Sequence, residues 1–163
     1  MAEQPSDDRG TRAEDAAGAT LEGRKSPPDH EVIQMGRCDP GLKLARQLEV
    51  GPEQTAEALG SGDVPALGTP ALLALAEGAC VDAIAGDLPD GETSVGTWAE
   101  IDHLKATRIG EMVCAHATLI GHHGRRLEFS VLVEHEGETI AKIRHRRVLV
   151  DRARFLDKMA ADR

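Results

Sequence analysis

Aromatic residues are nearly missing from this chain: Trp98, Phe129 and Phe155 are the whole set, and there is no tyrosine. That leaves almost no platforms for stacked bases, which argues against single-stranded nucleic acid as a ligand. Positive charge is also short. Lys and Arg number 19 against 28 Asp and Glu, a formal net charge of -9 that repels a phosphate backbone. Cysteine is limited to Cys38, Cys80 and Cys114. An odd number without a CxxC pair speaks against a disulfide framework and against a zinc site, and reads as free thiols in a reducing cytoplasm. No apolar run reaches the roughly 18 residues that a membrane-spanning helix needs, and the polar, acidic start lacks the pattern of a signal peptide. Neither a Walker-type loop nor a GxGxxG loop is present, so nucleotide-hydrolysing and dinucleotide-binding functions are not supported.

What is present fits one globular domain of 163 residues, with a core of Leu, Val, Ile and Ala. Residues 1–40 are rich in Asp, Glu, Arg, Gly and Pro, contain Pro27-Pro28 and lack apolar periodicity before Val32. Such a segment buries too little surface to offset its ordering entropy, and reads as a disordered tail preceding a domain at 41–163. From Leu42 to Val50 apolar and polar residues alternate with period two, a half-buried strand. Pro52–Leu59 reads as a short helical piece closed by Gly60. Thr69-Pro70 then has the form of a helix start, Thr as cap and Pro at the first helical position. The run from Ala71 to Ala85 is apolar nearly all round, which predicts a long buried helix. Four strands follow, near 93–107, 111–121, 125–136 and 138–151. Gly-containing turns separate them, including His122-His123 in the second. Residues 152–162 read as a short terminal helix. An antiparallel sheet packed on one apolar helix is an α+β arrangement.

Three side chains are candidates for chemistry. Glu77 sits mid-helix among apolar neighbours, where a carboxylate needs a partner, a cleft or an altered affinity for protons. The alternative is a Glu on the one exposed stripe of the helix. His103 follows Gly96-Thr97-Trp98 in a strand and suits a general base, or else is a histidine satisfied by hydrogen bonds. Thr69 has a complete explanation as a helix cap, yet carries a hydroxyl. On the last strand, alternation puts Lys142, Arg144 and Arg146 on one face, and Arg147 with Ala141, Ile143, His145 and Leu149 on the other.

In order along the chain, Gly68-Thr69, Glu77-Gly78-Ala79-Cys80-Val81, Ser94-Val95-Gly96-Thr97, His103, Gly124-Arg125-Arg126-Leu127 and His145-Arg146-Arg147-Val148 resemble the fluoroacetyl-CoA thioesterase family of hotdog-fold proteins. The similarity runs from about Thr69 to Phe155. It implies a hotdog fold, in which the antiparallel sheet wraps the long helix, and a homodimer. It also implies that Thr69, Glu77 and His103 form the catalytic group, that Gly96 lies against the thioester, and that Arg147 lies near the acyl-CoA. No metal or organic cofactor is implied; CoA enters as part of the substrate.

The family's fluoroacetyl-selective members carry phenylalanines in the loop before the catalytic threonine. Here that loop, Gly60 to Leu67, has no aromatic. The expected activity is therefore hydrolysis of a small acyl-CoA without fluoroacetyl selectivity. The alternative is a non-catalytic hotdog that binds acyl-CoA as a sensor or scaffold. One tension stands: eight residues of helical rise place Thr69 about 12 Å from Glu77 along the axis.

Overall fold

The alternating residues after Gly41 form the first strand, β1 (Lys43–Glu49), in a computed structural model that describes residues 38–161. A single 3-10 turn, Pro52–Gln54, and a folded-back loop lead to the long helix α1 (Thr69–Ile84). Then come β2 (Glu92–His103), β3 (Met112–His123), β4 (Arg126–His135), β5 (Glu138–Asp151) and the terminal helix α2 (Arg152–Ala161). The five strands make one antiparallel sheet in the order β1-β3-β4-β5-β2, so β1 and β2 are its edges. Two hairpins link β3, β4 and β5, while β2 reaches β5 by skipping past the middle of the sheet.

Helix α1 lies across the inner face, chiefly against β1 and β3. Leu72, Leu75, Ala79 and Ile84 from the helix meet Leu119, Leu127, Phe129, Val131 and Val133 from the sheet, all buried. Each such side chain contributes about 1.5–3 kcal/mol by leaving water, and Phe129 is the lone aromatic among them. On β5 the period-two reading holds: Ile143, His145, Arg147 and Leu149 are buried while Lys142, Arg144 and Arg146 are exposed.

The expected packing of the sheet on the long apolar helix is found, with Ala74, Val81 and Asp82 left exposed. Several other expectations need correction. The segment after Pro52 does not continue as a helix. Ala56 N–H donates to the Ala66 carbonyl at 2.8 Å and Gly68 N–H to the Gln54 carbonyl at 2.8 Å, which folds the chain back on itself. β2 stops at His103, because the residues beyond it turn away to bury Thr107 and to bridge Arg108 to Ala66. His122 and His123 end β3; the turn is carried by Gly124, whose φ of 61° suits glycine. Cys38 is already fully buried, three residues before the expected start at Gly41. The disordered tail expected over 1–40 otherwise lies outside the described residues. No helix among the described residues is long and apolar enough to cross a membrane.

The three thiols are unpaired. Burial pushes Cys80 up to about 12, helped by the nearby Glu77 carboxylate and opposed by Arg147, and burial also raises Cys38. The thiolate is the reactive form, so both should resist alkylation at neutral pH. Iodoacetamide labelling of the native protein, read by peptide mass spectrometry, should mark the half-buried Cys114 well ahead of Cys38 and Cys80. Equal labelling of all three before unfolding would contradict this core.

Candidate active site

Helix α1 begins with no side-chain cap. Gly68 occupies the cap position, and Thr69 is the first helical residue with Pro70 next. Glycine fits closely at 68: an added Cβ would stand 3.1 Å from the backbone N and Cα of Ala56, so that backbone would have to give by a few tenths of an ångström. The expectation that Thr69 caps the helix is thus corrected. Its hydroxyl is free for another partner, and Thr69 Oγ1 lies 3.0 Å from His103 Nδ1 at the end of β2. The other ring nitrogen of His103, Nε2, is buried and has no hydrogen-bond partner among the described residues. The pair borders a cavity of about 330 Å³ whose remaining wall includes Ser61, Val64, Ala66, Gly68 and Leu104.

Glu77 lies two turns along α1, with its side chain 41% exposed, so it is not sealed among apolar groups as its neighbours in sequence suggest. Its Oε1 stands 3.3 Å from Nε2 of His145, whose side chain is 1% exposed. The same Oε1 presses on the backbone of β2: a Cβ added at Gly96 would come within 2.6 Å of it and 3.1 Å of His145 Cε1. Arg147 completes this cluster from β5. Its Nε donates to Ser94 Oγ at 2.8 Å, Nη2 to the Ser94 carbonyl at 2.9 Å, and Nη1 lies 3.1 Å from His145 Nε2. Burial depresses both His145 and Arg147. For Arg147 the Glu77 charge opposes that fall.

The five residues singled out in the sequence therefore fall into two groups. Thr69 and His103 form one; Glu77, Gly96 and Arg147 form the other. Among the described residues no hydrogen bond or ion pair joins Glu77 to Thr69 or to His103. Residue-level reasoning missed His145 and Ser94 as members of the second group. The available signal was parity, since His145 shares the inward face of β5 with Arg147.

The Gly96 contact gives a direct expectation. Gly96→Ala should displace the Glu77 carboxylate by an ångström or so and lower turnover by about a hundredfold, as misplacement of a reacting group does. The melting temperature should fall only modestly, because the closest obstructed atom ends a flexible side chain and the buried His145 ring must give by a few tenths of an ångström. Unchanged turnover in this variant would show that the carboxylate need not lie against Gly96.

An antiparallel sheet in this strand order around one long helix is the hotdog architecture, shared with solved thioesterase structures. It belongs to the fluoroacetyl-CoA-specific thioesterase family, FlK, whose sequence profile matches residues 50–153. Among solved structures, the fluoroacetyl-CoA thioesterase FlK is 28% identical with a TM-score of 0.72, over 77% of this chain and 97% of that one. A thioesterase superfamily member from Thermus thermophilus is 25% identical with a TM-score of 0.70, over 76% and 91%. A hot-dog-like protein from Thermanaerovibrio acidaminovorans, at 22% identity and a TM-score of 0.68 over 76% and 90%, shares the fold. No curated protein matches the sequence.

Proposed function

We propose that the protein hydrolyses small acyl-CoA thioesters to the free acid and CoA. The observation that carries this reading is the Thr69–His103 pair at the mouth of a cavity, with Nε2 of His103 left unpartnered. Support comes from FlK itself, whose variants have been solved with acetyl-CoA and with fluoroacetate and CoA. In the proposed reaction, backbone N–H groups around Gly96 hold the carbonyl oxygen as charge develops on it. Either Glu77 or Thr69 attacks the carbonyl, expelling CoA and forming an acyl-enzyme that water then hydrolyses to the free acid, or one of them positions water for direct attack. Where water or the Thr69 hydroxyl attacks, Glu77 takes its proton, and His103 delivers a proton to the CoA sulfur, which leaves as the thiol. Arg147 serves the acyl-CoA side of the site mainly from behind, since most of its fork is occupied by Ser94 and His145. Three free thiols suit a reducing compartment, so we place the reaction in the cytoplasm.

We further propose that the working unit is a homodimer joined through the free edge of β2. Gly96 is an inner residue of that strand and His103 its last, about 20 Å apart at the usual rise per residue. Antiparallel pairing of two β2 edges about an axis near Ala99 and Glu100 would bring one subunit's Gly96 beside the other's His103. Each complete site would then take Glu77 from one subunit and Thr69 with His103 from the other. Mixing Glu77→Gln and His103→Ala subunits tests this. A shared site predicts recovery to about a quarter of wild-type turnover, because half the dimers are mixed and each has one intact site. No recovery on verified subunit exchange would place all three residues in one chain.

Thiol release from a panel of acyl-CoAs tests the activity. The cavity wall contributed by Ser61, Val64 and Ala66 has no aromatic ring to select a two-carbon fluorinated group. The expected preference for fluoroacetyl-CoA over acetyl-CoA is small, about tenfold or less, the range that one small group can earn in an apolar pocket. A preference of several orders of magnitude would overturn the argument from this loop. Tight acyl-CoA binding without thiol release would favour the sensor or scaffold reading.

A further inference from the structure

Glu77 has one partner among the described residues, and that partner is held from three sides. His145 lies on the inner face of β5, opposite Ala99 on β2 and Phe129 on β4. Its Nδ1 is 2.8 Å from the Trp98 carbonyl, which can only accept, so Nδ1 carries a hydrogen. In the neutral ring Nε2 is then an acceptor. Arg147 Nη1, which can only donate, meets it at 3.1 Å, and Arg147 is itself fixed by Ser94. Burial favours the neutral ring. The imidazole is thus locked in one tautomer and one orientation, its one lone pair accepting from Arg147 while Glu77 Oε1 stands 3.3 Å from the same nitrogen.

We propose that His145 is a positioning residue for Glu77, holding Oε1 against the backbone of Gly96. The proposal rests on the thioesterase reading above. Its chemical content follows from donor counting. With no proton on Oε1, two lone pairs face each other at 3.3 Å, and the contact is weak. Once Oε1 takes up a proton from the attacking water or hydroxyl, its O–H can share the one Nε2 lone pair with the Arg147 N–H, and the contact turns from repulsive to favourable. The interaction therefore strengthens during the reaction and not in the resting enzyme, which is the condition for raising kcat without tightening substrate binding. Arg147 offsets the carboxylate's charge in the resting state. Besides Glu77 and Arg147, the other titratable group in this cluster is Cys80, which stays a thiol at neutral pH.

Two measurements test the proposal. His145→Asn keeps a donor toward the Trp98 carbonyl and removes Nε2. It should lower kcat by about tenfold to a hundredfold, the usual cost of losing a group that orients a functional side chain, with KM nearly unchanged. His145→Gln restores a polar atom near the Nε2 position and should recover part of the loss. A His145→Asn protein that melts earlier yet keeps wild-type kcat per folded molecule would reduce His145 to a structural role and overturn the proposal. The second measurement needs neither a His145 variant nor turnover: nitrogen-15 imidazole spectra of the wild type and of Glu77→Gln. The wild-type ring should be the Nδ1–H tautomer, and the Nε2 resonance should move in Glu77→Gln. An unmoved Nε2 resonance overturns the proposal. Absence of wild-type hydrolysis of every acyl-CoA counts instead against the thioesterase reading, while the Nε2 shift still reports whether His145 holds Glu77.

Discussion

His103→Ala should lower acyl-CoA turnover by about 10² to 10⁴, the range for a lost general acid–base group, with little change in the melting temperature. The ring is only half-buried and its one hydrogen bond is to Thr69, so little folding energy depends on it. The cost should fall on chemistry because the Thr69–His103 pair lines the cavity. Thr69→Ala should also cost activity. It should not carry the roughly 1 kcal/mol penalty of a lost helix cap, since Gly68 holds that position. His122→Ala, at the far end of β3 with Nε2 near the Gly124 carbonyl, is the matched control and should change little. Wild-type turnover in His103→Ala, measured by thiol release, would remove the Thr69–His103 pair from the mechanism.

Glu77→Gln should do comparable damage, about 10² or more in kcat, in a protein that folds normally. The amide is nearly isosteric, and the side chain is exposed enough that water satisfies the substituted group. What it loses is the capacity to accept a proton or to attack as a carboxylate. Stopped thiol release with intact circular dichroism is the expected pair of results. If Glu77→Gln hydrolyses acyl-CoA at the wild-type rate, Glu77 is structural, the site lies elsewhere, and the acyl-CoA-binding scaffold becomes the better reading.

Much of this architecture is legible in the residues. Period-two alternation on β5 places Arg147 and His145 inward and Lys142, Arg144 and Arg146 outward, as the structure has them. The apolar run after Pro70 gives α1 nearly to the residue. The misreadings share a cause: local pattern was outvoted by distant partners. Pro52–Leu59 has helical composition, but backbone bonds to Ala66 and to Gly68 hold it folded back. Thr69-Pro70 has the form of a cap and first turn, but tight packing of Gly68 on Ala56 moves the cap by one residue and releases the hydroxyl. The division of the candidate residues into two groups was legible only as a distance along a helix. Parity pairs His145 with Arg147, but that both meet Gly96 and Ser94 was not legible, because it depends on strand order, and no local pattern says that β2 lies next to β5.

The pairing of β2 with β5 skips a residue between Gly96 and Trp98, leaving Thr97 as the extra one. Before the skip, Ser94 and Gly96 stand opposite the inward Leu149 and Arg147; after it, Ala99, Ile101 and His103 stand opposite the inward His145, Ile143 and Ala141. Even-numbered residues face the helix on one side of Thr97 and odd-numbered ones on the other. The bulge thus acts as a change of reading frame in three dimensions, and it alone lets Gly96 and His103, an odd number of residues apart, look the same way. Deleting Thr97 would leave every other residue of the strand unchanged in identity, yet would turn His103 out to solvent or drag Gly96 away from Glu77. Selection on this site therefore acts on the length of a segment as well as on its side chains, and a homologue can be judged by whether its count between these two positions is preserved.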